Sequence, residues 1–251
     1  MALGAEGVRA LAKLTLSLRV TGVRKDGFHL LEAEMVNVDL ADTLYFSEGD
    51  GLEVVLGEGA RASGFGDVPR DKSNLVMRAL ERARRRALVR LEKRIPVGAG
   101  LGGGSSDAAA VLRWAGLMGA QGARIASELG SDVPFCLAGG GRAVVSGAGE
   151  VVRPLPFDDV AGEAYTLAVP PFGVPTGAVY RAWDDLGGPV SDNFNDLEPA
   201  ALRVEPRLGY WRDLLGEATG RLPRLAGSGS TWFVPGAYPG KGRVVVHCAR
   251  P

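Results

Sequence analysis

Two cysteines and two histidines are all that 251 residues offer for disulfide, soft-metal or imidazole chemistry. Cys136 and Cys248 lie far apart in the apolar runs PFCLA and VVVHCA, and neither belongs to a metal-ligand spacing. They read as two buried thiols of a protein kept in a reducing compartment. Charge of either sign is not in excess, because 29 Lys and Arg balance 29 Asp and Glu. A nucleic-acid binder needs a basic surplus to neutralise phosphates, so no nucleic-acid partner is expected, whereas a small anion needs only a local positive site. No apolar run approaches the ~18 residues of a membrane span. MALGAEGVRALAK, at the N-terminus, has no charged stretch ahead of a long apolar core. The expectation is a cytoplasmic protein without a membrane partner, a monomer or weak dimer.

Glycine, by contrast, is abundant at 37 residues, with 15 prolines beside it. The glycines cluster in short runs at 98–104, 139–141 and 227–229, inside otherwise patterned sequence. That placement suggests loops that approach a ligand closely rather than disorder. With 46% hydrophobic and 23% charged residues, the chain is long enough for one large domain or two modest ones sharing a cleft.

Residues 12–20, AKLTLSLRV, alternate: Leu14, Leu16, Leu18 and Val20 against Lys13, Thr15, Ser17 and Arg19. This predicts a half-buried strand whose polar face is exposed or lines a cleft. KDG at 25–27 predicts a turn, with extended chain over 28–40 and another strand at 54–56 ending in a glycine-rich loop. Asp71 or Ser73 is placed to cap a helix from Asn74 to about Arg86, whose Arg82, Arg84, Arg85 and Arg86 read as a solvated face. LVRLEKRI, 88–95, alternates again, Val89, Leu91 and Ile95 against Arg90, Glu92 and Arg94. Helices are expected over 105–118, 123–129, 176–184 and 206–216, and strands over 142–146, 150–153, 165–169, 231–234 and 243–248. Strands and helices mix without regular βαβ alternation, which points to an α+β fold, with a soft boundary near 155–162.

The most informative segment is Pro96-Val97-Gly98-Ala99-Gly100-Leu101-Gly102-Gly103-Gly104-Ser105-Ser106-Asp107. Five glycines in seven residues permit close backbone approach, and a helix follows. Backbone N–H groups and a helix N-terminus then converge on one spot, which attracts an anion, most often phosphate. Ser105 and Ser106 are able to cap the helix, bond phosphate oxygens or help hold a metal. The literal G-x-G-x-x-G at Gly98, Gly100 and Gly103 fails the context of a dinucleotide loop, because the preceding strand carries Arg90, Glu92 and Arg94 rather than an all-apolar run. A P-loop lysine is also missing, since Gly104 leads straight to Ser105.

PVGAGLGGGSSDAA, Pro96 to Ala109, resembles the P-x3-GLG-x-SS-x-A-A motif of the GHMP kinases, and its form GLGGGSSDAA is similar to their diphosphocytidyl-methylerythritol kinase branch. Further segments resemble that branch in order: Ala12-Lys13-Leu14; Lys25-Asp26-Gly27-Phe28-His29; Asn74-Leu75-Val76; Leu129-Gly130-Ser131-Asp132-Val133-Pro134-Phe135; Val174-Pro175-Thr176; Asn195-Asp196-Leu197-Glu198-Pro199; and Ala226-Gly227-Ser228-Gly229-Ser230. The resemblance runs from about residue 10 to 235. It implies a two-domain fold: a ribosomal protein S5 domain 2-like N-terminal domain, 1–157, and a ferredoxin-like C-terminal domain, 158–251, with the active site in the cleft between them. It also implies ATP-dependent phosphorylation of a cytidyl-diphosphate alcohol in non-mevalonate isoprenoid synthesis. The alternatives left open are another GHMP alcohol kinase and a catalytically weakened nucleotide-binding homologue.

The resemblance assigns roles residue by residue. Asp132 would take the proton of the substrate hydroxyl, and Lys13 would stabilise developing charge and keep Asp132 ionised; by themselves they read as a strand residue and a turn cap. Residues 96–106 would cup the phosphates of ATP, with Asn74 and Lys93 on the adenine side, although both read equally well as surface residues. His29 would read the cytosine edge between Phe28 and Tyr180, with Thr15, Thr176 and Ser228 also on the substrate side. Mg2+ is implied by ATP, but no carboxylate cluster marks a metal site, and His247 has no assigned role. Thr15 stands where the family usually has Asn. The stretches before the glycine loop and before Asp132 are shorter than usual, and a helix ahead of the last strand is missing.

Overall fold

The computed structural model describes residues 7–57, 68–191 and 193–250; the glycine-rich loop expected after Leu56 lies outside these beyond Gly57. Two long strands, β1 (Val8–Val23) and β2 (His29–Ser47), pair antiparallel around the turn at 25–27. On its other edge β2 is shared: residues 31–36 pair with β5 (Arg142–Gly147), and residues 43–47 with β4 (Leu88–Lys93). β3 (Gly51–Leu56) runs parallel to β4, and β6 (Val151–Pro154) antiparallel to β5, completing a six-stranded sheet. The second sheet is antiparallel, in the order β10 (Arg243–His247), β7 (Ala164–Ala168), β9 (Trp232–Pro235), β8 (Arg224–Leu225). This is the ferredoxin-like strand order. No helix occupies 236–242, so the helix expected to be missing before the last strand is indeed missing.

Seven helices lie among the described residues: α1 (Leu75–Ala83), α2 (Gly103–Trp114), α3 (Gly119–Leu129), α4 (Val133–Ala138), α5 (Thr176–Asp185), α6 (Glu198–Val204) and α7 (Leu208–Thr219). The α+β expectation holds. One core joins the helices to the sheets. A second core, formed by Ala12, Leu14, Val36, Val38, Tyr165, Leu167, Phe233 and Val246, lies between the two sheets. Strands such as β9 are therefore buried on both faces, with Phe233 in one core and Trp232 and Val234 in the other.

Several local expectations need correction. The register of β1 shifts between Thr15 and Ser17, a bulge that inserts Leu16 and exchanges the faces. Leu14 consequently packs between the sheets and Leu18 in the helical core, rather than on one shared face. α1 is capped by Asn74, whose side chain accepts Val76 N–H at 2.8 Å, while Asp71 bonds Ser73. The helix stops at Ala83 because Arg84 takes a left-handed φ of 52°. Arg82, Arg84, Arg85 and Arg86 are exposed, as their solvated-face reading requires.

Candidate active site

The glycine loop is anchored by its own apolar residues. Ile95, Ala99 and Leu101 enter the core between the sheets, and burying one side chain the size of Leu101 contributes about 1.5–3 kcal/mol. The carbonyl of Leu101 accepts Lys13 N–H at 3.0 Å and that of Ala99 accepts Thr231 N–H at 3.2 Å. The side chains and carbonyls of Ala99 and Leu101 thus face inward. Among the described residues, no acceptor meets any N–H group from Gly98 to Ser105. Unpaired amides at the start of α2 add to the helix dipole and make an anion site. Gly100 is required by contact as well as by its φ of 80°: a Cβ there would lie 2.5 Å from the Ala226 carbonyl oxygen and 2.7 Å from that of Gly229. A cavity of about 360 Å³ opens between residues 96–105 and the start of α1, with Val68 and Pro69 at its rim. Asn74 lines it, its amide committed to Val76 N–H and the Pro69 carbonyl.

Against the other side of the loop lies Lys13. The residue is 4% exposed; its Nζ donates to Thr15 Oγ1 at 3.0 Å and stands 3.4 Å from Asp132 Oδ2. Asp132 occupies the N-cap position of α4 without a side-chain capping bond, so its carboxylate is not tied to its own helix. Its side chain keeps 29% exposure, open to a reactant. A glycine makes room for the lysine: a Cβ on Gly102 would lie 2.7 Å from Lys13 Cγ. Ser105 stays half-exposed at the loop. Ser106 is buried, and its hydroxyl donates to the Leu11 carbonyl, which assigns it to packing rather than to an anion. Cys136, beside Ser106, has its thiol pushed up to about 12 by burial and is inert as a nucleophile.

Lys93 is not a surface residue. It is 3% exposed and its Nζ bonds both Asp42 and Asp107, the latter at 2.7 Å. Asp42 Oδ1 in turn accepts the N–H groups of Arg94 and Ile95 at 2.5 and 2.8 Å. This trio ties the end of β4, where the loop departs, to the first turns of α2, where it arrives. Burial pulls the Lys93 ammonium down, but Asp107 and Asp42 together outweigh it and raise it. Burial pushes Asp107 up to about 7; Lys93 opposes this shift and Asp42 adds to it.

His29 sits at the far end of the hairpin against α5. Its ring is 4.7 Å from that of Tyr180 and 5.6 Å, edge-on, from that of Trp183, and Nε2 lies 2.8 Å from Asp184 Oδ1. Phe28 is 47% exposed, with Arg24 over its ring at 5.6 Å. Thr176, at the start of α5, shares a hydrogen bond of 2.9 Å with Ser228. Asn195 braces this glycine loop by donating to the carbonyls of Leu225 and Gly227 at 2.9 and 2.7 Å. Residue order alone gives no role to Asp42, Asp107, Trp183, Asp184 or Asn195; the fold brings each to its partners.

The profile of the GHMP kinases N terminal domain matches residues 74–140, spanning the capped helix, the glycine loop and Asp132. The 4-diphosphocytidyl-2-C-methyl-D-erythritol kinase of Paramagnetospirillum magneticum is 37% identical, with 90% of this chain covered and 87% of that protein. That of Paracoccus denitrificans is 38% identical over 89% and 84%. The chain belongs to the 4-diphosphocytidyl-2-C-methyl-D-erythritol kinase family. A crystal structure of such a kinase superposes with a TM-score of 0.69 at 33% identity, covering 91% of this chain and 89% of that one. Homoserine kinase from Cytophaga hutchinsonii, at 18% identity and a TM-score of 0.55, and a mevalonate kinase, at 13% and 0.55, share the fold. Among the described residues of this chain no group of three or more His, Cys, Asp or Glu is placed to hold a metal ion, and no helix is long and apolar enough to cross a membrane.

Proposed function

We propose that the chain catalyses ATP-dependent phosphorylation of the 2-hydroxyl of 4-diphosphocytidyl-2-C-methyl-D-erythritol, giving the 2-phosphate and ADP, a step of non-mevalonate isoprenoid synthesis. The observation that carries the reading is the Lys13–Asp132 contact beside unpaired amides at the start of α2. Phosphoryl transfer needs positioning and charge stabilisation above all. Residues 96–105 hold the phosphates, and the cavity against Asn74 takes the nucleoside end. Asp132 accepts the proton of the attacking hydroxyl as its oxygen bonds the γ-phosphorus and the bond to ADP breaks. Lys13 faces the charge that spreads over the transferring oxygens. Its burial and its bond to Thr15 Oγ1 hold the ammonium in one place before substrate arrives.

Mg2+ would neutralise phosphate charge, and this donor set would suit it only as an ion held mainly by phosphate and water. Ser105, half-exposed at the loop, and Asp132, with its open carboxylate, would be the side chains left to hold it, since Ser106 and Asp107 are committed elsewhere. Phe28, His29, Tyr180, Thr176 and Ser228 form the substrate side, and Lys93 acts as a pedestal under the loop. The division into units 1–157 and 158–251 is supported by the strands: each sheet is built wholly from one side of that boundary. A cytoplasmic location suits the two free thiols. ADP release by the purified protein, with and without the cytidyl substrate, tests the reading. Release that depends on the cytidyl substrate is expected; release driven equally by homoserine or mevalonate, or none at all, contradicts it.

A further inference from the structure

α5 presents Tyr180, Trp183 and Asp184 at positions i, i+3 and i+4, the spacing of one helix face, and all three touch His29. The ring is packed on one side by Tyr180 and met edge-on by Trp183. Trp183 is itself fixed, since its Nε1 donates to the Pro189 carbonyl at 3.0 Å. The imidazole therefore has one packed orientation, with Nε2 directed at Asp184 Oδ1 at 2.8 Å. An ionised carboxylate only accepts hydrogen bonds, so Nε2 must carry the proton of a neutral imidazole, which leaves Nδ1 as a bare acceptor. Nδ1 has no partner among the described residues and is not sealed from solvent.

We propose that Asp184 is a positioning residue that holds His29 in the Nε2–H tautomer, so that Nδ1 accepts from an exocyclic amino group and selects an aminopyrimidine over its oxo counterpart. The proposal rests on the reading of a cytidyl substrate given above. Cytosine offers an amino donor where uracil offers a carbonyl oxygen. A lone acceptor pairs with the first and leaves two acceptors facing each other with the second. Without Asp184 the proton is free to move to Nδ1, and the imidazole then donates to a carbonyl as readily as it accepted from an amine. Asp184 is half-exposed near the end of α5, so removing its carboxylate leaves the core intact.

With only two histidines in the chain, nitrogen-15 NMR at neutral pH reads the tautomer directly, and a His247→Gln variant assigns the signals. His29 is expected to carry its proton on Nε2 in the wild type and in Asp184→Glu, and to populate both tautomers in Asp184→Ala. The paired kinetic measurement uses the diphosphocytidyl substrate and its diphosphouridyl counterpart. In Asp184→Ala the ratio of kcat/KM values is expected to fall at least about fivefold, the loss of one selective hydrogen bond. The loss should lie in the KM of the pyrimidine substrate, with kcat and the KM for ATP unchanged and Asp184→Glu restoring the ratio. A proton on Nδ1 in the wild type, or an unchanged ratio in Asp184→Ala, overturns the proposal. If the wild type fails to turn over the cytidyl substrate at all, it is the functional reading that has failed, and the tautomer measurement still decides the role of Asp184.

Discussion

Lys13 Nζ, from β1 on one edge of β2, and Asp132 Oδ2, at the start of a short helix, meet at 3.4 Å. The meeting depends on a residue that lacks a side chain: at Gly102 a Cβ would collide with the stem of the lysine on its way to the aspartate. The cation is buried and the carboxylate half-open, the asymmetry expected of a fixed electrostatic group beside a group that must exchange a proton with a reactant.

Replacing Lys13 with Met keeps the bulk of the side chain and removes the charge. The rate of phosphoryl transfer should fall on the order of 100-fold or more, while ATP affinity, carried by the backbone amides of residues 98–105, should stay within about threefold. Steady-state kinetics with a separate nucleotide-binding titration checks this split.

Gly100→Ala and Gly116→Ala form a matched pair. Both glycines have positive φ, 80° and 74°, but only Gly100 faces backbone oxygens within 2.7 Å; Gly116 faces open space. Gly116→Ala should cost about 1 kcal/mol, the strain of a left-handed alanine. Gly100→Ala should cost at least about 2 kcal/mol and weaken nucleotide binding, because the loop must leave its seat on residues 226–229. Urea unfolding and nucleotide titration of both variants provide the comparison.

Asp107 gives stability a pH dependence whose sign follows from its environment. Its free value is 3.8 and burial, opposed by Lys93, pushes it up to about 7 in the fold. Between these values the folded chain binds more protons than the unfolded one, so this group's contribution is full below about pH 4 and is lost as pH rises towards 7. Asp107→Asn removes the titration and retains an amide oxygen for Lys93. Relative to wild type, the variant should gain stability as pH rises from about 4 to 7 and keep that gain above 7, in paired denaturation curves. An unchanged difference would remove Asp107 from the account.

The glycine loop, the turn at 25–27 and the alternation of Lys13 and Thr15 were legible because each is a local pattern. The bulge at Leu16 was not: it leaves residue order intact and is set by how β2 pairs with β1. α4 and α6, at six and seven residues with proline in their first turns, are too short to show a helical period. Lys93 lies in step with Val89, Leu91 and Ile95, so its burial was readable from spacing, but Asp42 and Asp107 come from other elements and only the fold brings them together. Asp184 could have been found from its helical offset to Tyr180, had His29 been known to pack against α5.

The most direct test of the central claim is single-turnover transfer of labelled γ-phosphate to the diphosphocytidyl substrate by wild type and Asp132→Asn, with nucleotide and substrate affinities measured alongside. Asn keeps the shape of the site and removes the proton acceptor. The expected result is a loss of transfer on the order of 100-fold or more, with both affinities nearly unchanged. Transfer at the wild-type rate in Asp132→Asn would contradict the assignment of Asp132 as the base beside Lys13.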